Sequence, residues 1–487
     1  MKQLLLGYAL FALYSVIAVY VFYLIIMLLS HKRIIRIIKG SKYARYRELS
    51  GSEQVPPVSI LVPSYNEELT IIESLRSLLN LGYPSYEVIV INDGSKDATL
   101  QVLIDEFGLL PKANYAMGET LEAKPIRGVY HNPRYPKLYV VDKENGGKAD
   151  ALNVGINVSH YPLVATIDAD SLLEKDALIR LASVYMEKPE ETIAIGGNVR
   201  VANGCKIENG CVTEVNLPRK LLPMFQNIEY LKSFLAGRIG WSAINGLIIV
   251  SGAFGLFRKD YLVKVDGYRD GFPGEDMNII IKLHKYMMDN DLPYRIAYCP
   301  DAVCWTQAPE SLRILQSQRK RWSRGNIKNI FKYSSMMFVP KYRAVGLLSM
   351  PYTLIFETLG PYLRMTGYLA LLGYVSLGMA DYRMMLLIIG VSMLVEILFS
   401  CGALLIEEIA FRRYPKFKDL VKMMFYSVLM TLGYNQINVY WKILGHIDYI
   451  RNDDSWGVMV RTSWKHEPAE PKAKAAIPSQ PANNQTV

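Results

Sequence analysis

Apolar and polar residues along this chain follow two alternating periods, which predict buried strands separated by helices. Short apolar runs at 58–62, 88–91, 138–141 and 164–167 are bounded by turn residues, as is typical of buried strands. The stretches between them carry apolar residues three or four positions apart, which is the helical period. Strands and helices that alternate in this way predict an α/β domain with a mainly parallel sheet.

The same patterns predict the segments that connect the strands. Apolar residues at helical spacing predict helices over 67–81, 148–158 and 277–287. Residues 114–136 contain several prolines and show weak periodicity, which predicts a loop or a hairpin insertion.

Apolar stretches near both ends of the chain are long enough to reach across a bilayer. Residues 4–29 contain no charged side chain, and one span needs about 20 residues. They lack a small-residue cleavage site, so a retained transmembrane helix is predicted. Further apolar segments lie at 343–379, 384–405 and 423–444, the first interrupted by two prolines, a glutamate and an arginine.

The net charge of +10 is concentrated beside these apolar segments. The basic cluster at 31–47 follows the first of them, so the positive-inside rule assigns the next domain to the cytoplasm. Basic residues in such positions match anionic lipid, and nucleic acid is not an expected partner. The five cysteines show no CxxC spacing, which is typical of reduced thiols.

Asp168 and Asp170 follow the fourth predicted strand directly. An Asp-x-Asp pair in isolation can be a solvated acidic turn. At the carboxyl end of a parallel strand, where α/β sheets bind ligands, two carboxylates can approach one divalent cation. Their hard oxygen ligands predict Mg²⁺ or Mn²⁺ bridging a diphosphate.

Polar motifs also follow the neighbouring strands. Glu67 and Asp93 lie after the first and second strands, where they could bind ribose hydroxyls and a base edge; each motif alone could be a helix cap or a turn. Gly146-Gly147-Lys148 opens a helix, so its backbone N–H groups and the lysine ammonium could face phosphate, although the glycines alone could form a simple loop.

Two later motifs supply candidate catalytic and sugar-binding groups. Asp276, in Gly274-Glu275-Asp276, is the candidate general base that takes a proton from an acceptor hydroxyl, although an acid here could be only a helix cap. In QRKRW at 318–322, arginine offers a fork to diphosphate oxygens and Trp322 an apolar face to a sugar ring. The alternative for this motif is a basic, aromatic helix on a membrane surface.

Taken in order, these motifs resemble those of the processive, membrane-integrated family 2 glycosyltransferases, which include poly-N-acetylglucosamine, hyaluronan, chitin-oligosaccharide and cellulose synthases. The resemblance covers about residues 55–460. The elements that carry it are PSYNEE at 63–68, NDGS at 92–95, GGKADALN at 146–153, DAD at 168–170, SGAFGLFRK at 251–259, GED at 274–276 and QRKRW at 318–322.

The resemblance implies a GT-A-type, Rossmann-like glycosyltransferase domain joined to an α-helical transmembrane bundle and amphipathic interfacial helices. It implies an inverting transfer from a UDP-sugar, with UDP-N-acetylglucosamine favoured, to a β-linked polymer that leaves through the membrane helices. The implied donor-binding residues are Glu67, Asp93, Lys148, Asp168, Gln318 and Arg321. Asp168 and Asp170 would hold the metal, and Asp276 would be the base. The acceptor side would be formed by Trp322, Ser251, Gly252 and Glu275.

A weaker match near the C-terminus resembles an element of hyaluronan synthases that closes over the nucleotide. Trp456 and Arg461 are the candidate gating residues, although the arginine is four residues from the glycine here rather than two. This role needs a cytoplasmic tail, whereas one leading span and three later crossings would put the tail outside. A cytoplasmic tail is expected, with one of the later crossings incomplete or bent.

The predicted organisation therefore has seven parts. They are an N-terminal transmembrane helix (1–30), a basic cytoplasmic linker (31–56), a cytoplasmic catalytic domain (57–325), an amphipathic interfacial helix (326–342), C-terminal membrane helices from about three hydrophobic segments (343–450), the candidate gating element (451–464) and a disordered tail (465–487).

The expected location is the inner (cell) membrane, as a multi-pass protein. The expected partners are a UDP-sugar donor, a polysaccharide acceptor, the bilayer and a small accessory membrane subunit. Two other functions stay open: a non-processive transferase that glycosylates a lipid, and an inactive channel or partner subunit of a synthase. The first generally lacks a Gln-x-x-Arg-Trp motif, and the second would lack one or more of the acidic residues.

Overall fold

A computed structural model gives the fold of this chain. It describes residue 52 and residues 54–453 except 114, 116–117, 120, 379–381 and 415, together with Leu49, Trp464 and single positions between 7 and 25. The predicted linker at 31–56 lies largely outside the described residues. The candidate gating residues Trp456 and Arg461 and the predicted tail at 465–487 lie entirely outside them.

A ten-stranded sheet forms the centre of the catalytic domain, in the order β3-β4-β5-β2-β1-β6-β11-β8-β12-β7. Strands β9 and β10 form a separate hairpin. The strands are β1 (Val58–Ser64), β2 (Tyr86–Asn92), β3 (Leu110–Pro111), β4 (Ile126–His131), β5 (Leu138–Lys143), β6 (Leu163–Ile167), β7 (Ser171–Leu173), β8 (Thr192–Val201), β9 (Lys206–Glu208), β10 (Cys211–Glu214), β11 (Phe254–Arg258) and β12 (Arg295–Thr306).

The sheet is mixed, which corrects the expectation of a mainly parallel one. The four strands predicted from the sequence, β5, β2, β1 and β6, are neighbours and run parallel. Strand β11 lies antiparallel between β6 and β8, and β4 lies antiparallel to β5. The pattern of apolar residues identifies a strand but carries no information on its direction, so the antiparallel flanks were not predictable from it. Within the predicted loop or hairpin at 114–136, residues Ile126–His131 form β4, which pairs with β5, and the described residues before them form neither strand nor helix.

Helices cover both faces of the sheet and continue into the C-terminal part of the chain. They are α1 (Ile71–Leu79), α2 (Thr99–Phe107), α3 (Lys148–Val158), α4 (Ala177–Glu187), α5 (Leu221–Leu231), α6 (Arg238–Ala243), α7 (Lys259–Lys264), α8 (Glu275–Asp289), α9 (Leu312–Lys332), α10 (Met350–Tyr352), α11 (Gly360–Ser376), α12 (Tyr382–Ala410), α13 (Phe417–Leu429) and α14 (Tyr434–Ile450). Segments of π-helix lie at Lys232–Gly237, Val345–Ser349 and Thr353–Leu359.

The apolar residues of the predicted strands and helices form the core of the α/β domain. Strands β2 and β6 are buried along their whole length, as expected of central strands covered on both faces. Helix α1 turns Ile71, Leu75 and Leu78 towards the sheet, and all three are fully buried. This packing fixes where each strand ends, and the polar motifs begin at those ends.

The C-terminal helices only partly match the predicted membrane segments. Within the described residues, one helical stretch, Ile389–Ala410, is long and apolar enough to cross a membrane. Helices α11, α13 and α14 contain 17, 13 and 17 residues, fewer than the about 20 of a full span. Several large apolar side chains on these helices are nevertheless exposed, among them Leu372 at 70% and Phe425 at 64%.

The predicted interfacial helix at 326–342 has different boundaries in the structure. Helix α9 runs unbroken from Leu312 through the QRKRW motif to Lys332, and short 3₁₀ turns at Ser334–Met336 and Pro340–Tyr342 follow it. The proposed domain boundary at 325 therefore falls inside a helix. Ser311 is the N-cap of α9, because its hydroxyl accepts a hydrogen bond from the Ile314 N–H at 3.3 Å.

Two described residues near the ends of the chain pack against the rest of the protein, whereas most of the predicted N-terminal transmembrane helix at 1–30 lies outside the described residues. Phe22 stacks on Tyr352 with ring centroids 4.9 Å apart and lies 5.5 Å from Trp241. Trp464 is buried in a cluster with Leu172 and Trp305 of the catalytic domain. At this position the chain contacts the α/β domain, and the expected cytoplasmic location of the tail stays a prediction.

A buried ion pair joins the catalytic domain to the apolar helix α12. The Arg200 guanidinium on β8 binds both oxygens of Glu407 at 2.9 and 2.5 Å, and the two side chains are 1% and 2% exposed. Removing one partner of such a pair leaves a buried charge without a counterion, which is strongly destabilising.

We expect Glu407→Gln to lower the stability by about 3–5 kcal/mol, because the Arg200 charge stays buried without its carboxylate. Thermal unfolding of the detergent-purified protein measures the effect. Glu191→Gln removes a solvent-exposed partner of Lys188 and is the matched control, expected to change stability by less than about 1 kcal/mol. An equal effect of both substitutions would contradict the role of the buried pair.

Candidate active site

The candidate site lies where the parallel strands end. Strands β1, β2, β5 and β6 run in the same direction, so the residues that follow them meet at one edge of the sheet. Helices α8 and α9, which carry the GED and QRKRW motifs, reach the same edge from later in the chain.

The Lys148 ammonium is the centre of this edge. It lies 2.5 Å from an Asp168 oxygen and 3.2 Å from a Glu275 oxygen. Although burial opposes it, the attraction of these carboxylates raises the pKa of Lys148, so the lysine stays charged. The structure thereby brings together residues that are up to 127 positions apart in the sequence.

Asp276 is held by backbone groups of two segments. One carboxylate oxygen accepts the N–H of Met277 at 2.8 Å, and the other accepts the N–H of Gly252 at 3.2 Å. Burial, with added repulsion from Glu275, raises the pKa of Asp276 to about 6. A carboxylate with a pKa in this range is suited to act as a general base near neutral pH.

The pKa of the adjacent Glu275 carboxylate is shifted in the opposite direction. Lys148 and Arg321 outweigh its burial and hold the pKa of Glu275 below its ordinary value. Two neighbouring acids with divergent pKa values are a recurrent arrangement in enzymes, because each can then have its own role. Glu275 is thereby suited to hold cations, whereas Asp276 is suited to exchange a proton.

Asp168 and Asp170 have the chemistry of a divalent-cation site that is completed by a ligand. Burial raises the pKa of Asp168, with Lys148 opposing it and the nearby Asp170 charge adding to it. Within the described part of the chain, no three acidic, histidine or cysteine side chains form a full metal cage. Two carboxylates without a third fit a cation whose other ligands come from a diphosphate and water.

Asp93 organises the loop that carries Lys143 to Lys148. Its carboxylate accepts hydrogen bonds from the Lys143 ammonium at 2.6 Å and from the N–H groups of Gly146 and Gly147 at 2.9 and 2.8 Å. Lys143 also lies 2.5 Å from Asp150. Asp93 thus fixes the glycine loop. A contact of Asp93 with the nucleotide base stays a prediction.

Glu67 is also held from within the protein. Its carboxylate accepts the Thr70 hydroxyl at 2.6 Å, and its backbone N–H donates to the Thr99 hydroxyl at 2.8 Å. It lies buried after β1, beside the Asp93 strand, as the sequence predicts. Its contact with ribose stays a prediction as well.

Helix α9 is clamped against the loop that carries Asp276. A Cβ on Gly325 would lie 2.1 Å from the Pro273 carbonyl oxygen, so only glycine allows this approach. Asn329 donates to the Gly274 carbonyl oxygen at 3.0 Å and accepts from Asn278 at 2.9 Å. The QRKRW helix and the candidate base are therefore parts of one packed unit.

The side chains of the QRKRW motif differ in their surroundings. Arg321 lies within electrostatic range of Glu275, and the Gln318 side-chain oxygen is shielded from solvent with no hydrogen-bond partner among the described residues. Arg319 instead holds both oxygens of Glu229 at 3.0 and 2.7 Å. Trp322 is 43% exposed, with the Arg319 guanidinium 4.6 Å from its ring centre.

The structure thus gathers most of the predicted site residues. Gly252 is in contact with the cluster, because a Cβ there would lie 2.8 Å from the Lys148 ammonium, and Ser251 precedes it. The sequence analysis missed Lys143, Arg319 and Asn329, which position the predicted residues. Lys143 had a signal, a lysine at the end of an apolar strand beside a glycine pair, whereas the partners of the other two depend on tertiary packing.

Three family models match parts of this chain. The model described as "Glycosyl transferase family 2" matches residues 59–117, and "Glycosyltransferase like family 2" matches residues 131–325. A third model, "Chitin synthase", matches residues 274–466.

The chain spans a little over half the length of the curated relatives that it matches. A poly-beta-1,6-N-acetyl-D-glucosamine synthase of Staphylococcus epidermidis is 32% identical over 276 residues, which are 57% of this chain and 56% of the relative. A probable glycosyltransferase, YdaM, of Bacillus subtilis is 30% identical over 306 residues, 62% of each chain.

A solved structure shares the fold. The mannosyltransferase PcManGT from Pyrobaculum calidifontis, in complex with GDP-Man and Mn²⁺, has a TM-score of 0.51 and 18% identity, with 87% of this chain and 99% of that one covered. The α/β domain with its mixed sheet is therefore of the GT-A type.

We expect Gly325→Ala to reduce sugar transfer by about 10²-fold, because the added methyl group displaces α9 from the Asp276 loop. Gly373→Ala on α11 is the matched control, since nothing lies within 4 Å of its Cβ position. Turnover of a nucleotide sugar by both folded variants measures the effect. Full activity of Gly325→Ala would contradict the role of this contact.

Proposed function

We propose that this glycosyltransferase, whose catalytic domain is of family 2, elongates a β-linked polysaccharide from a UDP-sugar, with UDP-N-acetylglucosamine favoured. The observation that carries the proposal is the convergence of Lys148, Asp168, Glu275 and Asp276 at one edge of the sheet. The relatedness to poly-beta-1,6-N-acetyl-D-glucosamine synthases supports the choice of sugar.

Asp276 is the general base in this proposal. The terminal hydroxyl of the acceptor gives its proton to the Asp276 carboxylate while its oxygen forms a bond to the anomeric carbon of the donor. The bond from that carbon to the diphosphate oxygen breaks on the opposite face, so the configuration is inverted. The two backbone N–H groups on Asp276 hold it in place for this transfer.

The leaving diphosphate receives its charge compensation from the other side of the site. Lys148, Arg321 and the Gln318 amide are the side chains proposed to bind it. Asp168 and Asp170 would hold Mg²⁺ or Mn²⁺, which supplies Lewis-acid stabilisation of the diphosphate charge. The Lys148 ammonium is paired with the Asp168 carboxylate. If Lys148 binds the diphosphate, this pairing has to change when the donor binds.

The helical region supports a membrane location for the site. Helix α12 contains the apolar stretch Ile389–Ala410, and the outer faces of α11 and α13 expose large apolar side chains. We propose that the protein crosses the inner membrane several times and that its catalytic domain lies in the cytoplasm. The polymer would be extruded across the membrane through the membrane helices. Trp322, whose ring is exposed on α9, is the proposed platform for the acceptor sugar. A small accessory membrane subunit is proposed as a further partner.

A non-processive transferase that acts on a lipid acceptor is the second candidate. The exposed Trp322 ring favours a sugar acceptor and thus the polymerase, because an aromatic face suits a sugar ring. An inactive subunit is disfavoured, because Asp93, Asp168, Asp170, Asp276 and Trp322 are all present.

The purified protein with Mg²⁺ or Mn²⁺ is expected to release UDP from one nucleotide sugar in a donor panel and to form a long polymer. UDP release followed by sizing of the product measures both properties. Products with a single added sugar would favour the lipid transferase. No UDP release from any donor would overturn the proposal.

Asp276→Asn is expected to reduce the transfer rate by about 10²–10⁴-fold, because the amide cannot accept the proton. In the unaltered protein the rate is expected to fall as the pH drops through about 6, where Asp276 becomes protonated. The pH dependence of kcat/KM measures this limb.

Glu275→Gln removes the repulsion that helps to raise the pKa of Asp276, so the acid limb should move to lower pH. A limb that stays in place in Glu275→Gln, or that is retained in Asp276→Asn, would assign the titration to another group.

A further inference from the structure

Helix α13 turns an apolar stripe away from the rest of the protein. Its exposed large apolar side chains recur at intervals of three or four positions, which places them on one face of the helix. They are Phe417, Val421, Met424, Phe425, Val428 and, in the turn that follows, Leu432, with exposed fractions from 36% to 76%. An exposed apolar stripe of this length marks a surface that meets lipid or another protein.

The opposite face of α13 is packed against the protein. Met423 and Ser427 are buried there, and the Tyr426 ring lies 6.2 Å from the Phe225 ring of α5. The orientation of the helix is therefore fixed by contacts, and the exposed stripe is the face that these contacts leave uncovered.

The surroundings of the stripe favour lipid as its partner. Lys418 and Lys422 are exposed beside it, and lysines that flank an apolar stripe suit the phosphate groups of a bilayer surface. Helix α13 also packs along α12, which contains the apolar stretch Ile389–Ala410. Since that stretch is proposed to cross the bilayer, the neighbouring stripe on α13 lies at the same lipid.

Helix α13 is too short to cross a bilayer. Its 13 residues span about 20 Å at 1.5 Å per residue. The hydrocarbon core of a bilayer is about 30 Å thick. A helix of this length that begins at one surface of the core therefore ends inside it.

Contacts of α12 show how deep the turn after α13 lies. The amide of Asn435, in the first turn of α14, donates to the Glu396 carboxylate at 2.6 Å, and Lys232 lies 3.6 Å from the same carboxylate. Glu396 is the middle residue of α12, with 14 residues on either side. The turn at 430–433 is therefore level with the middle of the helix that is proposed to span the membrane.

Both ends of the α13–α14 pair are bound to the α/β domain or to α9. Before α13, the Arg413 guanidinium binds the Glu174 carboxylate, which follows β7, at 2.6 and 2.7 Å. Near the end of α14, Asp448 lies 2.7 Å from the ammonium of Lys320 in the QRKRW motif. A Cβ on Gly445 would lie 2.6 Å from the Lys320 carbonyl oxygen, so the two helices are in close contact. The chain thus enters and leaves the pair on the same side.

We propose that α13 and α14 form a re-entrant hairpin, which enters the bilayer from the cytoplasmic side, turns near its middle and returns, with the apolar stripe of α13 in contact with lipid. This inference rests on the membrane location given under the proposed function. The apolar segment predicted at 423–444 then contains the turn of a hairpin instead of one complete crossing, and the end of α14 lies in the cytoplasm.

The sidedness of three exposed apolar positions in the full-length protein tests the hairpin. Leu377→Cys lies after α11, Leu432→Cys in the turn and Ile450→Cys at the end of α14. Each variant is treated with a membrane-impermeant maleimide in right-side-out and in inside-out vesicles. The unaltered protein gives the background of the five native cysteines.

We expect Leu377→Cys to react only from the outside and Ile450→Cys only from the inside. Leu432→Cys should react at least about tenfold more slowly than either from both sides, because the hydrocarbon core excludes both the reagent and the thiolate. It should react fully after detergent is added.

Contact with lipid is measured separately, by tryptophan fluorescence of Phe425→Trp in lipid discs whose acyl chains are brominated. We expect bromine to quench the fluorescence that this tryptophan adds to the unaltered protein. Leu110→Trp on β3 is the matched control, because Leu110 is 66% exposed and Phe425 is 64% exposed. Its added fluorescence should be the same in brominated and in ordinary lipid.

Reaction of Leu432→Cys or Ile450→Cys from the outside would overturn the hairpin. Fluorescence of Phe425→Trp that bromine leaves unchanged, or a Leu432→Cys that stays unreactive in detergent, would overturn the contact with lipid and assign the stripe to a second copy of the chain. Reaction of Leu377→Cys from the inside alone would remove the proposed membrane location, and this inference with it. None of these measurements needs sugar transfer, so a failure to release UDP would overturn the proposed reaction and leave the hairpin standing.

Discussion

The candidate site depends on the ion pairs that Lys148 forms with Asp168 and Glu275. Asp168 and Glu275 come from a strand end and a helix start that are 107 residues apart, and without a cation their charges would repel at the same edge. Lys148 lies between them. Its position depends on the glycine loop, and the loop depends on the buried pair of Asp93 and Lys143. A chain of charges thus runs from the centre of the sheet to the reacting groups.

Close backbone approach is the second constraint on the site. Gly252 and Gly325 lie where a side chain would collide with the Lys148 ammonium and with the Pro273 carbonyl oxygen. Through these contacts the GED loop is enclosed by two other segments, which supply the N–H group that holds Asp276 and the helix that carries the QRKRW motif. The pKa values of Glu275 and Asp276 diverge although burial raises both, because Lys148 and Arg321 outweigh burial at Glu275, whereas burial and the repulsion from Glu275 prevail at Asp276.

The site is continuous with the C-terminal helices. Arg319 binds Glu229 on α5 and lies 3.5 Å from the Tyr434 hydroxyl on α14, and Lys320 lies 2.7 Å from Asp448 on the same helix. A second connection, from Arg200 to Glu407, joins the sheet to α12. The helix that carries Trp322 is thus held by contacts with both α5 and α14.

The sequence alone determined the central strands, the motifs at their ends and the resemblance to family 2 glycosyltransferases. It could do so because an apolar run, a glycine pair before a lysine, and Asp-x-Asp after a strand are local patterns. Only the tertiary structure decided the antiparallel position of β11, the course of α9 through residue 325, and the partners of Arg319. These features depend on contacts between residues far apart in the chain, for which no local period carries a signal.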